Sequence, residues 1–206
     1  MKDTTILLVD DHAIVRMGLA ALLEPEPGIR VVGEADDGDA AIRKAARLKP
    51  DIVVMDIMMP VLDGIAATRE IKARQPDTRV LILTTSTVSD ELSRALEAGA
   101  DGAITKSNAN AQLLKAIKAV ATGQRWISRE IEEQIANDPP VQKLTERQEV
   151  ILSSIVRGLT NADIAHLLGI REDSVKEHLN LIFMKLGAAN RTEAVAIALR
   201  RHLLKL

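Results

Sequence analysis

The sequence has no cysteine and no tyrosine, and its aromatics are a single tryptophan, Trp126, and a single phenylalanine, Phe183. Without thiols, disulfides, zinc-thiolate sites, iron–sulfur clusters and cysteine catalysis are excluded. With so few rings, aliphatic side chains must fill the core, and single-stranded nucleic acid has no stacking platform to hold it. No stretch approaches the roughly 18 consecutive apolar residues of a membrane span. Only four apolar residues follow Thr5 before the first carboxylate, too few for a signal peptide. These absences lead to the expectation of a cytoplasmic protein with no membrane partner.

What is present is ordinary for a folded, water-soluble chain: 206 residues, 47% hydrophobic and 27% charged. That length allows one large domain or two small ones. The net charge of −2 conceals an asymmetry. Residues 1–122 carry 15 Lys and Arg against 18 Asp and Glu, a net −3, whereas residues 139–206 carry 10 against 7, a net +3. Different charge in the two parts points to different partners. Between them, Asn137-Asp138-Pro139-Pro140 stops a helix and stiffens a short tether.

Before the tether, short apolar runs alternate with helical patterns. Ile6–Val9, Val31-Val32, Ile52–Met55, Val80–Leu83 and Ala103-Ile104 read as strands bounded by Asp, Gly or Thr. Helical spacing joins Val15, Leu19, Leu22 and Leu23, and again Leu113, Ile117 and Val120. Continuously apolar strands belong to a parallel sheet buried on both faces. The expected fold is therefore α/β, a doubly wound five-stranded parallel sheet in the flavodoxin-like order. After the tether the pattern is helical throughout. Thr145–Gln148 forms a capping box, Thr160–Asp163 repeats the starting signal, Gly158, Gly169 and Gly187 end helices, and Thr192 is expected to open the last one.

Asp10 and Asp11 follow the first strand and Asp56 follows the third. In such a sheet ligands bind beyond the carboxyl ends of the strands, where the strand order reverses. Three carboxylates converging there repel one another unless a cation offsets them. Oxygen ligands with open water positions suit Mg²⁺. Thr84, a hydroxyl donor, ends the fourth strand, and Lys106, able to pair with a phosphoryl group, ends the fifth. Gly33–Asp39 has the glycine spacing of a phosphate-binding loop, but Asp39 stands where that loop needs lysine, so we read it as a strand-to-helix connection.

Asp10-Asp11, Asp56-Ile57-Met58-Met59-Pro60 with Asp63-Gly64, Leu83-Thr84 and Gly99–Gly102 with Lys106 together resemble the receiver domain of bacterial response regulators. The resemblance implies phosphorylation of Asp56 by a sensor histidine kinase, with Mg²⁺ held by Asp10, Asp11, Asp56 and the backbone carbonyl of Met58. Thr84 and Lys106 would sense the phosphoryl group. Two departures stand out. Receivers commonly carry an aromatic on the fifth strand that swings inward; Ala103 stands there, so no such rotamer switch operates. Ser107 follows Lys106 where many receivers have proline.

Leu144–Gln148, Gly158–Asn161, Asp163–Ala165, Leu168–Ile170, Ser174–His178, Lys185–Gly187 and Arg191–Ala194 resemble the LuxR-type helix-turn-helix output domain. The whole chain is thus similar to response regulators of the NarL/FixJ class. Its implied organisation is a receiver at 1–122, a linker with a short helix at 123–143 and a helix-turn-helix domain at 144–206. On the third helix of the latter, Val175, Leu179, Ile182, Phe183 and Leu186 share an inward face by spacing alone. Lys176, Glu177, Asn180 and Met184 face outward, where such a helix meets the major groove. His178 borders the apolar side and is expected to pack. Arg171 replaces the usual serine cap of this helix. Along the last helix, Val195, Leu199 and Leu203 form a stripe that serves the core, with Val195 and Leu199 implied as dimer contacts.

The expected function is a phosphorylation-controlled transcription factor that binds double-stranded promoter DNA and forms a homodimer when phosphorylated. Two other readings are open on the sequence. A Mg²⁺-dependent phosphohydrolase would turn over through Asp56, but neither Met58 nor Ser86 offers a base to activate water, so only slow loss of the phosphoryl group is expected. A protein-binding adaptor finds support in Glu177 and in the outward apolar residues Leu181 and Met184.

Overall fold

The computed structural model describes residues 3–86 and 88–204. The chain divides into two compact units, Met1–Asp138 and Pro139–Leu206. The first unit begins β1 (Thr4–Val9), α1 (Ala13–Leu23), β2 (Ile29–Ala35), α2 (Gly38–Leu48), β3 (Ile52–Met55) and α3 (Gly64–Arg74). It continues β4 (Arg79–Thr84), α4 (Ser89–Glu97), β5 (Gly102–Thr105), a 3-10 turn (Lys106–Asn108) and α5 (Ala109–Ala121), then β6 (Trp126–Ile127) and α6 (Arg129–Asn137). All described strands pair in parallel, in the order β2-β1-β3-β4-β5-β6.

The apolar strands bury both faces of this sheet, and the side-chain period of two sorts them. Leu7, Val9, Val53, Met55, Val80 and Ile82 point into one core with Ala41, Ile65, Ile71, Leu92 and Ile131. Ile6, Leu8, Ile52, Val54, Leu81 and Leu83 point the other way, against Leu19, Leu23, Leu113, Ile117 and Val120 of α1 and α5. Each such fully buried aliphatic side chain contributes about 1.5–3 kcal/mol. From β1 the chain first crosses to β2 on one side and then to β3 on the other, so a crevice opens beyond the carboxyl ends of β1 and β3.

A glycine is required beside that crevice. A Cβ on Gly64 would lie 1.9 Å from the Asp56 carbonyl oxygen, so only glycine lets α3 start against the end of β3. Asp63 caps that helix, accepting from Ala66 N at 2.7 Å.

Two features differ from the sequence reading. Besides the five expected strands there is β6, only two residues long, and with α6 it belongs to the first unit, so part of the 123–143 segment packs on the sheet. The last helix starts at Arg191, one residue before Thr192.

The second unit comprises α7 (Glu146–Val156), α8 (Asn161–Leu168), α9 (Glu172–Leu186) and α10 (Arg191–Arg200). Both expected capping boxes form, Thr145 with Gln148 and Thr160 with Asp163. For α10 the cap is Asn190, whose side-chain oxygen accepts from Glu193 N at 2.9 Å; this places Thr192 inside the first turn. The core gathers Leu144, Ile151, Leu152, Ile164, Val175, Leu179, Ile182, Leu186, Ala194 and Ile197.

Arg171 caps α9 without any side-chain hydrogen bond. Arg171→Ser supplies an acceptor for an orphan N–H, and the second unit should gain about 0.5–2 kcal/mol in urea unfolding. An unchanged midpoint would mean that solvent already serves these groups fully.

Candidate functional site

Asp10 lies just past β1, Asp56 just past β3, Thr84 at the end of β4 and Lys106 just past β5. Adjacent parallel strands of matched register deliver all four to one edge of the sheet. Asp10 is 1% exposed, Asp56 3% and Thr84 0%. At the centre is the Lys106 ammonium. Its Nζ donates to Asp56 Oδ2 at 2.7 Å and lies 2.5 Å from Asp10 Oδ2, without hydrogen-bond geometry to the latter.

One cation thus faces two buried carboxylates. Burial pushes the Asp56 carboxyl above the ordinary range; the hydrogen bond and charge of Lys106 oppose this, and the Asp10 charge adds to the rise. For Lys106, burial alone would lower the ammonium, but the close carboxylates of Asp10 and Asp56 outweigh it and the net shift is upward.

Asp11 extends the cluster outward. His12 Nδ1 lies 2.8 Å from Asp11 Oδ1, and the His12 backbone N–H donates to Asp10 Oδ1 at 2.9 Å. Asp10, Asp11 and His12 place ligand-capable atoms within 4.8 Å of one another. Asp56 meets this group through Lys106, because the ammonium occupies the space between Asp10 and Asp56. Asp56 Oδ1 is buried without a hydrogen-bond partner. The Asp10–Asp11 carboxylates, with orphaned oxygens on both Asp10 and Asp56, are hard donors of the kind that suit a divalent cation, although Lys106 stands between Asp56 and that pair. Met58 lies two residues beyond Asp56, its side chain half exposed.

A residue that sequence reasoning missed braces the acidic loop. Arg16, on α1, donates from Nη1 to the Asp10 carbonyl at 2.7 Å and from Nε to Glu34 Oε2 at 2.9 Å. The signal available was one arginine in the otherwise apolar stretch Ala13–Leu23. The Thr84 hydroxyl accepts from Ser86 N at 2.9 Å, which ties it to the loop that follows β4.

In the second unit, Lys176, Glu177, Asn180 and Met184 lie together on the exposed face of α9, with Met184 69% exposed. Val175, Leu179, Ile182 and Leu186 are buried, Phe183 is half-buried against the same core, and His178 is half-buried. The Lys176 ammonium is held by Asp173 Oδ1 at 3.1 Å, a pairing that the sequence did not suggest. On α10, Val195 is half-buried against the core and Leu199 is exposed.

Residues 6–118 match the response regulator receiver domain family, and residues 142–198 match the bacterial regulatory proteins of the luxR family. The transcriptional regulatory protein LiaR of Bacillus subtilis is 37% identical over 206 residues, covering 96% of this chain and 98% of LiaR. The response regulator protein VraR of Staphylococcus aureus is 36% identical over 205 residues, covering 97% of this chain and 98% of VraR. Among solved structures, RcsB of Salmonella enterica serovar Typhimurium, bound to a promoter in the presence of the phosphomimetic BeF3−, superposes with TM-score 0.72 at 25% identity. That superposition covers 95% of this chain and 98% of RcsB.

The raised Asp56 carboxyl has a consequence for stability. The folded chain holds this proton more tightly than the unfolded chain. The stability so contributed is complete below the ordinary value of 3.8 and is lost as pH rises through the raised pKa. Asp56→Asn removes that loss. In EDTA at pH 7 its Tm should exceed that of the wild type, and the two should converge as the pH falls below the ordinary carboxylate value. Equal Tm at pH 7 would contradict the charge balance described here.

Proposed function

The chain belongs to the response regulators that join a receiver domain to a LuxR-type DNA-binding domain, transcriptional regulators and not turnover enzymes, and on that premise we propose that Asp56 is its phosphoacceptor and α9 its DNA-reading helix. The observation that carries the first assignment is the Lys106 ammonium shared by Asp56 and Asp10 at the sheet's carboxyl edge. The donor is the phosphohistidine of a sensor kinase. A carboxylate oxygen of Asp56 attacks phosphorus, a P–O bond forms, and the P–N bond breaks as the imidazole leaves with the electron pair and takes a proton from water.

Asp10, Asp11, Asp56 and the Met58 carbonyl would hold Mg²⁺ for this step. When bound, the metal offsets the charge of the carboxylate and of the incoming phosphoryl group. Lys106 keeps Asp56 Oδ2 in place and offers its ammonium to a phosphoryl oxygen. Thr84 offers its hydroxyl hydrogen to another. Arg16 fixes the Asp10 carbonyl and thereby the course of the acidic loop. Among the described residues, none beside Asp56 is positioned as a strong base toward water, in keeping with a phosphoryl group that persists as a signal.

For the second unit we assign α9 to the major groove of promoter DNA. Lys176 and Asn180 stand one turn apart on its exposed face; Lys pairs with guanine O6 and N7, and Asn with adenine. Glu177 accepts from cytosine N4, and Met184 offers an apolar contact to thymine methyl groups. Glu172 and Asp173, beside Lys176, hold non-specific attraction down. Val195 and Leu199 of α10 form the contact between two copies, which places two half-sites in two-fold arrangement. A kinase-controlled regulator of promoters works in the cytoplasm, which is where we place this one; among the described residues no helix is long and apolar enough to cross a membrane.

Two measurements test the assignment. With Mg²⁺ and acetyl phosphate, intact mass should show one phosphoryl group on the wild type and none on Asp56→Asn; equal labelling of both would remove Asp56 from the role. In binding titrations on a DNA site selected from a random pool, Lys176→Ala and Asn180→Ala should each lose about 1–3 kcal/mol of preference over random DNA, and wild-type affinity should fall steeply with salt. Variants that discriminate as the wild type does would place the reading surface elsewhere.

A further inference from the structure

Position 103 lies buried on β5, between β4 and β6, and carries only a methyl group. Ala103 pairs with Ile127 of β6, and its carbonyl accepts from Ser128 N at 2.9 Å. The apolar volume near it is supplied from α6. Ile131 is 0% exposed and shares one core with Ala103, Leu92 and Ala95, and Ile127 and Ile135 pack against the same core. α6 is therefore seated on α4 and β5 by isoleucines at a place where β5 itself contributes almost nothing.

Two polar threads run from the phosphoacceptor edge to this helix. The first starts at Thr84, whose hydroxyl accepts from Ser86 N; the Ser86 hydroxyl in turn donates to Glu91 Oε2 of α4 and accepts from Val88 N at 3.1 Å. At the start of α4, Ser89 Oγ donates to the Gln134 carbonyl of α6 at 3.3 Å. The second starts at Lys106. Its 3-10 turn ends in Asn108, whose Nδ2 donates to Glu130 Oε1 of α6 at 2.8 Å, and Gln112 Nε2 reaches the same oxygen at 3.3 Å. Near its start α6 is thus tied to the turn that carries Lys106 and to α5, and at its middle to the first residue of α4, which follows the Thr84–Ser86 loop.

The seat is also imperfect. Gln134 Nε2 and Trp126 Nε1 are buried without hydrogen-bond partners. Each unmet polar group of this kind costs free energy, and α6 is held by few apolar residues, so its docked state stands close to an alternative.

We propose that α6 is the output element of the first unit: a strap seated by Ile131 beside Ala103, and released when Asp56 carries a phosphoryl group. This rests on the phosphoacceptor assignment above. A phosphoryl group brings new acceptor oxygens to Asp56. The Thr84 side chain, turning to donate its hydroxyl hydrogen to one of them, carries its oxygen away from Ser86 N, and the Lys106 ammonium, now shared among more oxygens, shifts its turn. Both threads then draw on α6 at once, and the strained seat gives way. The released helix runs directly into Asp138-Pro139-Pro140 and the second unit.

The test is hydrogen exchange on the full chain with Mg²⁺, with and without acetyl phosphate, with intact mass recorded on each sample. Peptides covering 129–137 should exchange about tenfold faster once the mass shows one phosphoryl group, and the emission of Trp126, the only tryptophan, should shift in parallel. Ile131→Ala should show the fast exchange without any phosphodonor while still gaining the phosphoryl mass. A fully phosphorylated wild type with unchanged α6 exchange overturns the strap. So does an Ile131→Ala protein that folds and keeps full α6 protection. Absence of the phosphoryl mass from the wild type instead overturns the phosphoacceptor assignment, and the strap with it.

Discussion

The contact on which the molecule turns is one ammonium between two buried carboxylates. Lys106 Nζ sits 2.7 Å from Asp56 Oδ2 and 2.5 Å from Asp10 Oδ2, at the edge of a sheet whose interior is wholly aliphatic. Burial makes the negative charges costly, and a single cation compensates them only in part. The surplus of negative charge is what a divalent cation and an electrophilic phosphorus can relieve. The same shortage of positive charge makes the site responsive: any new anion at Asp56 must compete for the one ammonium, and that ammonium is anchored in a turn whose far end touches α6.

The neighbours of the site supply rigidity where it is needed. Gly64 lets α3 close against the Asp56 carbonyl, and Arg16 fixes the loop that bears Asp10 and Asp11. By contrast, the segment after β4 is held by the hydroxyls of Thr84, Ser86 and Ser89. Hydroxyl hydrogens rotate, and such links re-form around a new acceptor at little cost. A stiff acidic loop and a soft hydroxyl-linked loop meet at one edge of one sheet. In the second unit the division is different: a compact apolar core leaves one face of α9 exposed, and the acids Glu172 and Asp173 beside Lys176 offset its positive charge.

The sequence located residues where a short local pattern fixes their place in the fold. The strand ends at Asp10, Asp11, Asp56 and Thr84 were legible because apolar runs of four residues located β1, β3 and β4, and Lys106 followed from the shorter run Ala103-Ile104; the edge of a doubly wound sheet dictates where these ends meet. The capping boxes at Thr145 and Thr160 were legible because both partners lie three residues apart. β6 was not, because Trp126-Ile127 is too short to carry a period. The seat of α6 was also hidden: Ile131 alone shows no long amphipathic stripe, and its burial depends on the space left by Ala103, twenty-eight residues away in the sequence. Thr192 was expected to open the last helix, but Asn190 caps it: both residue types cap helices, and the extended backbone of Asn190 with its bond from Glu193 N decides the start. Pairings such as Arg16 with Glu34 and Lys176 with Asp173 follow from side-chain reach, which spacing alone does not rank.

The charge balance at the sheet edge is tested most directly by following thermal unfolding during a Mg²⁺ titration at neutral pH, for the wild type and for Asp10→Asn/Asp11→Asn. A cation that binds only the folded cluster must raise Tm in a saturable way. The account predicts that rise in the wild type and its loss in the double variant. A rise of equal size and midpoint in both proteins, or none in the wild type, would contradict it.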